Sequence, residues 1–146
     1  MEYNHTQIGY LMIVVVGAGI FLLSNFFYLH GYHPFFIAIF IVLVICLFLF
    51  AVLNVRVDSE EINIRFGIGL IRKSFPIRDI KSHGIVKNPW YYGWGIRRTP
   101  HGWLYNVSGF RAVELRMKDG KGYRIGTNDP SGLYNAIETV LSGKKV

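Results

Sequence analysis

The hydrophobic positions fall into two textures. Residues 8–29 and 35–53 are continuous apolar runs, split by His30-Gly31-Tyr32-His33-Pro34. No Lys, Arg, Asp or Glu lies between Glu2 and Arg56. At about 1.5 Å per helical residue the runs extend roughly 33 and 28 Å, close to a hydrocarbon core. Neither run leaves a polar stripe, so the pattern predicts a transmembrane helical hairpin. A signal peptide has a shorter apolar segment and a basic lead, and here a second run follows at once. Residues 1–7 read as a short polar lead. Gly9, Gly17 and Gly19 are small enough to admit a neighbouring helix, and Asn25 could bond across to the second one. Phe26, Phe27, Tyr28, Tyr32, Phe35 and Phe36 flank the turn as an aromatic belt.

After residue 53 the texture becomes alternation. Val55 and Val57 alternate with Asn54, Arg56 and Asp58, and Asp58-Ser59-Glu60 reads as a turn. Ile62, Ile64 and Phe66 alternate with Glu61, Asn63 and Arg65. This period of two predicts half-buried strands. Further strands are expected over 70–75, 79–87, 103–107, 110–118 and 121–127, with Asp119-Gly120 as a hairpin turn. A helix closes the pattern. Asp129 can cap it, Pro130 suits its first position, and Gly143 suits its end. Leu133, Ala136, Ile137, Val140 and Leu141 share one face, which must cover something apolar.

Charge gives this layout a direction. The chain has 146 residues and a net charge of +7, and all 16 Lys and Arg lie beyond residue 53. The positive-inside rule then puts both termini in the cytoplasm and residues 30–34 outside, at the inner membrane. A basic juxtamembrane domain suits anionic lipid. Nucleic acid fits less well, because the bases alternate with apolar residues and form no run. Cys46 is the only cysteine, which excludes an internal disulfide and a cysteine metal site. His30 and His33 lack a third ligand nearby.

No constellation for catalysis is visible. His83 and His101 could each serve as a base, but neither sits in a motif with a nucleophile or metal ligands. Asn106, Ser108 and Gly109 are explained by a tight turn. Residues 88–102 form a long loop for so small a domain, and such loops often carry function. It holds Trp90, Tyr91, Tyr92, Trp94, Arg97 and Arg98, and Trp103 follows. Either these rings plug one end of a barrel, or they form an aromatic and basic surface for lipid or a protein partner. Counting strand reversals from the end of the second helix places this loop on the membrane side.

Seven short strands followed by one capped helix is the pleckstrin-homology (PH) layout. Four strings extend the resemblance: Gly93-Trp94-Gly95-Ile96-Arg97, Gly102-Trp103-Leu104-Tyr105-Asn106-Val107-Ser108-Gly109, Ala112-Val113-Glu114-Leu115 and Ile125-Gly126-Thr127-Asn128-Asp129-Pro130. Together they resemble small bacterial membrane proteins in which two transmembrane helices precede a bacterial PH-like domain. The resemblance implies a hairpin over 1–53 and a cytoplasmic PH-like domain over 54–146. That domain would be a seven-stranded antiparallel β-barrel capped by a C-terminal α-helix. The first strand–strand loop, Asp58-Ser59-Glu60, is short and acidic, which argues against phosphoinositide recognition of the usual PH kind. The expectation is a non-enzymatic binding or scaffold module without metal or cofactor. Its partners would be anionic lipid, a membrane protein or further copies of itself. The alternatives are a small membrane-associated enzyme using His83 or His101 as base, and a basic module tethering nucleic acid.

Overall fold

Two antiparallel strands carry the helical hairpin between them. β1 (Tyr3–Ile8) pairs with β2 (Val52–Val57) from Tyr3↔Val57 to Ile8↔Val52. Just beyond the last rung, the Gly9 N–H donates to the Ala51 carbonyl at 2.7 Å. Helix α1 (Tyr10–His30) leaves from this point and α2 (Pro34–Phe50) returns to it. The computed structural model that shows this describes residues 2–144.

Both helices are placed differently from the apolar runs. Ile8, Val52 and Leu53 belong to the ladder, because strand pairing takes up their backbone groups. That leaves α1 with 21 residues, long and apolar enough to cross a membrane, and α2 as a shorter apolar helix of 17. The two pack on each other through Phe26 on Phe36 (4.8 Å between ring centres) and Phe27 on Phe40 (6.1 Å). Gly19 faces Leu43, whereas Gly17 has open space around it. Asn25 does not reach across to α2. Its amide donates to the Phe21 carbonyl of its own helix at 2.9 Å. His33 caps α2 by accepting the Phe35 N–H at 3.3 Å, with Pro34 behind it.

Among the described residues there are nine strands, not seven, in two sheets. One sheet has the order β1-β2-β3-β4, adding β3 (Glu61–Phe66) and β4 (Ile71–Pro76). Leu53, Val55 and Val57 of β2 face inward opposite Phe66, Ile64 and Ile62. Asp58 builds the turn between β2 and β3 by accepting the Glu60 and Glu61 N–H groups, each at 2.9 Å. These bonds hold its carboxyl below the usual range. The turn after β3 needs glycine, since Gly67 has φ +53° and a Cβ there would run into the Phe48 carbonyl of α2.

The second sheet has the order β5-β8-β9-β7-β6, comprising β5 (Ile80–Lys87), β6 (Gly95–Thr99), β7 (Gly102–Asn106), β8 (Arg111–Met117) and β9 (Gly122–Gly126). The two strands absent from the sequence expectation are β1 and β6. β1 turns Tyr3, His5 and Gln7 inward, so its alternation is polar and aromatic where an aliphatic pattern would have betrayed a strand. β6 is an edge strand with a single aliphatic residue, Ile96. β7 runs parallel to β9, which breaks the expected all-antiparallel meander.

Nor do the sheets close into a barrel. Helix α3 (Pro130–Lys144) packs on β2, β5 and β8 and fills one corner between the sheets. The opposite corner, between β4 and β6–β7, stays open as a cleft. Asp129 caps α3 by accepting the Gly132 N–H at 3.1 Å, and the Tyr3 hydroxyl donates to its other oxygen at 3.0 Å. The helix passes through Gly143 without ending there. Leu133 and Ile137 are fully buried against both sheets.

Leu→Ala at buried positions costs about 2–5 kcal/mol, a large share of the roughly 5–15 kcal/mol that holds a domain folded. The variant carrying Leu133→Ala and Ile137→Ala is therefore expected to be cut throughout the β region by a protease that leaves the parent intact. An unchanged digestion pattern would make α3 peripheral to the core.

Candidate functional site at the feet of the helices

The long segment after β5 is a folded structure. At its start the Asn88 N–H donates to the Phe110 carbonyl at 2.6 Å. The Asn88 side-chain oxygen accepts from the Arg124 guanidinium at 3.0 Å, and Arg124 also donates to Glu114 at 3.1 Å. Arg124 and Glu114 are paired neighbours on β9 and β8. Their side chains alternate away from the core residues Val113, Leu115 and Ile125, so they stand on the sheet's outer face. They are nonetheless buried. A one-turn 3-10 helix, Trp90–Tyr92, folds over this region and brings the Tyr92 ring to 5.9 Å from the Arg124 guanidinium carbon.

The segment then reaches the feet of the hairpin. Trp94 Nε1 donates to the Gly109 carbonyl at 3.3 Å, and its ring lies 6.0 Å from Phe110. Residues 107–110 are the turn between β7 and β8, and this turn abuts the helix roots. Gln7 donates to the Ser108 carbonyl at 3.0 Å, and a Cβ on Gly9 would sit 3.0 Å from the Val107 carbonyl oxygen. Asn106 shapes the turn by accepting the Ser108 N–H and donating to the Gly109 carbonyl. Trp90 and Tyr91 project from this end at 75% and 67% exposure. The β3–β4 turn, held against α2 at Gly67, exposes Ile68 and Leu70 at 67% and 73%. Two turns and a folded loop thus ring the helix feet with exposed apolar side chains, and Lys87 and Arg72 stand beside them.

The seven residues singled out in the sequence divide. Tyr92 lies over the outer face of the second sheet, its ring 6.4 Å from that of His101; Trp90, Tyr91 and Trp94 gather at this end, and Arg97 joins them through a 2.9 Å bond to the Trp94 carbonyl. Arg98 and Trp103 do not. They form a rung beside the tip of the β6–β7 hairpin, and Trp103 faces the open cleft. The rings do not plug a barrel end: Trp90 and Tyr91 are exposed, and Tyr92 covers the outside of a sheet. Sequence reasoning missed Ile68, Leu70 and the Asn88–Arg124–Glu114 cluster. The glycines on both sides of Ile68 mark a turn whose apolar content was the available signal for the first two.

The two candidate bases, His83 and His101, lie in different surroundings. His83 lies beneath α3, its ring 4.5 Å from Tyr134 and its Nε2 3.2 Å from a Glu138 carboxylate oxygen. Burial lowers its pKa from the usual 6.5, and Glu138 opposes the shift in part. His101 is exposed at the β6–β7 tip, where its N–H donates to Thr99 at 3.2 Å. Among the described residues, no cluster of three His, Cys, Asp or Glu could hold a metal ion. No protein-family model matches the chain, and no curated protein matches it.

Two predictions follow from this geometry. The unfolded chain protonates its His83 before the folded one does, so the stability tied to this residue is complete above about pH 6.5 and is lost as pH falls below it. The denaturation midpoint should drop between pH 7.5 and 5.5, and His83→Phe should flatten that drop; an equal drop in the variant would assign it to other groups. Separately, Arg124→Leu removes the buried partner of Glu114, whose other oxygen keeps the exposed Arg116 at 2.8 Å, and should cost about 1–3 kcal/mol in urea unfolding. Adding Glu114→Leu should restore most of the loss, whereas additive losses would show that the pair is not coupled.

Proposed function

We propose that the α1–α2 hairpin is embedded in a cell membrane, in a bacterium the inner one, with the β region on the cytoplasmic side. There it serves as a non-enzymatic, PH-like binding or scaffold module seated on anionic lipid headgroups. One observation carries this reading: the hairpin is uncovered, and the parts of the β region nearest its feet are themselves apolar and exposed. Val16 is the only buried residue of α1, and α2 has none. Apolar surface on this scale fits lipid and not water. At 17 residues α2 sits at the short end of the range of about 17–25 that spans a bilayer. The shortfall draws the β region close to the headgroups, where Trp and Tyr are favoured and each base gains about 1 kcal/mol. The concentration of all Lys and Arg beyond residue 53 supports the cytoplasmic side. A membrane protein partner or a second copy would meet the module on the same collar.

The test is tryptophan quenching in vesicles of phosphatidylcholine and phosphatidylglycerol containing phosphatidylcholine brominated high on its acyl chains. A variant keeping only Trp90 should be quenched strongly, and one keeping only Trp103 weakly. Equal quenching of the two would remove the lipid assignment of the collar.

A further inference from the structure

The open corner between the sheets contains a residue that the rest of the fold does not explain. On β4, Ile71 packs against the core and Phe75 lies within it, on the inward face. Lys73 stands between them in the same alternation, at a position that period two assigns to an apolar side chain, and is exposed because the sheets leave this corner open. Its ammonium lies 5.9 Å from the centre of the Tyr123 ring. The cleft it enters has a volume of about 340 Å³, within the range of roughly 300–1,000 Å³ typical of small-molecule sites. No acidic side chain lines it; Asp79 and Asp119 line the adjoining hollow that Lys73 and Tyr123 also border.

The cleft is polarised along its length. Phe66 pairs with Ile71, and Ile96 pairs with Tyr105, near the helix feet. The Phe66 ring is 5.8 Å from Phe50, the last residue of α2, so this apolar wall begins at the hairpin root. Lys73 and Tyr123 lie further along the strands, at the far end of the cleft. Tyr105 stands between the two ends, 6.5 Å from Tyr123. Burial first, and then the neighbouring Tyr123, push the pKa of the Tyr105 hydroxyl above its ordinary value, and like any phenol it is a donor at neutral pH. The end away from the helix feet therefore offers an ammonium and phenolic donors, and the other offers aliphatic and aromatic walls with Arg72 at the rim, its guanidinium held by the Gly69 carbonyl.

We propose that this cleft binds one single-chain anionic amphiphile, an ionised long-chain carboxylate, with its head on Lys73 and Tyr123 and its tail along Phe66, Ile71 and Ile96. The two cations of the lining, Arg72 and Lys73, select an anion, the apolar wall takes a chain, and the volume admits one chain. The site is separate from the aromatic collar and does not depend on how the hairpin sits in a bilayer. An inward lysine on an edge strand can also simply discourage edge-to-edge pairing. Such a guard would show no preference among ligands.

The full chain in neutral maltoside micelles, with Trp90→Phe and Trp94→Phe so that Trp103 alone reports, separates the two roles. The probes are dibromostearate and its methyl ester, both carried by the micelles and differing in the charged head. Dibromostearate should quench Trp103 saturably at a concentration about tenfold lower than the ester, the factor expected from one charge-assisted contact. Lys73→Met should abolish that preference while leaving the far-ultraviolet circular dichroism unchanged. Ile96→Trp, which fills the cleft without touching Lys73, should reduce saturable quenching by the acid. Equal potency of acid and ester, or a preference that survives Lys73→Met, would overturn the proposal. Loss of preference in Lys73→Met accompanied by self-association in the absence of any probe, with no effect of Ile96→Trp, would assign Lys73 to edge protection and overturn it equally.

Discussion

The arrangement depends on the β1–β2 ladder. Six residues on each side pair in register, and the two helices continue directly from its end. The Gly9–Ala51 hydrogen bond closes the junction, and glycine suits it because a Cβ there would sit 3.0 Å from the Val107 carbonyl oxygen of the β7–β8 turn. A helical pair joined to a domain by a free linker could take any tilt. Here the backbone hydrogen bonds of a strand pair set the tilt, and the turns at 67–70 and 107–110 are positioned by the same junction. The collar of exposed rings exists because the ladder brings these segments to one place.

Two sheets that meet at only one corner require something at the other. At the covered corner, α3 supplies Leu133 and Ile137, and β1 ties down the helix start through Tyr3 and Asp129. At the uncovered corner the strands end in a cleft with aromatic walls and one lysine. The asymmetry follows from strand order: β6 and β7 come between β5 and β8 in the chain but lie as a hairpin at the other edge of the sheet, where β7 joins β9 in parallel. The hairpin extends the second sheet past β9 toward β4 without reaching hydrogen-bonding distance of it. The buried Glu114–Arg124 pair has a related origin, since the 3-10 turn covering it belongs to the chain leading into that hairpin.

Legibility in the sequence followed the source of each element's stability. Strands that bury aliphatics on one face, such as Val55, Val57, Ile62 and Ile64, announced themselves by alternation. The α3 start was readable because Asp129 and Pro130 act locally. β1 was hidden because its inward residues are Tyr, His and Gln, whose reward comes from partners more than a hundred residues away, Asp129, Asn128 and Ser108. The apolar runs overran their helices for a similar reason, since Val52 and Leu53 suit a membrane helix and a buried strand equally well. For the candidate site, the aromatic loop stood out by composition alone. Ile68 and Leu70 did not, because their exposure results from Gly67 lodging against α2. The inward aim of Lys73 is visible only once its register with Ile71 and Phe75 is known.

The way the helices join the sheet also fixes how the molecule bears load. α1 and α2 leave the same end of an antiparallel pair. A force that draws them apart therefore peels the ladder open one rung at a time, beginning at Gly9–Ala51, and never loads all rungs in shear. Each step frees one pair of residues; the Gln7–Ser108 bond is met early, and resistance rises again when the opening reaches His5–Val55 and Tyr3–Val57. There the bonds from Tyr3 to Asp129 and from His5 to Asn128 fasten β1 to the head of α3. The hairpin root yields readily to sideways separation, and the tie at the far end of β1 keeps the strand from leaving the domain.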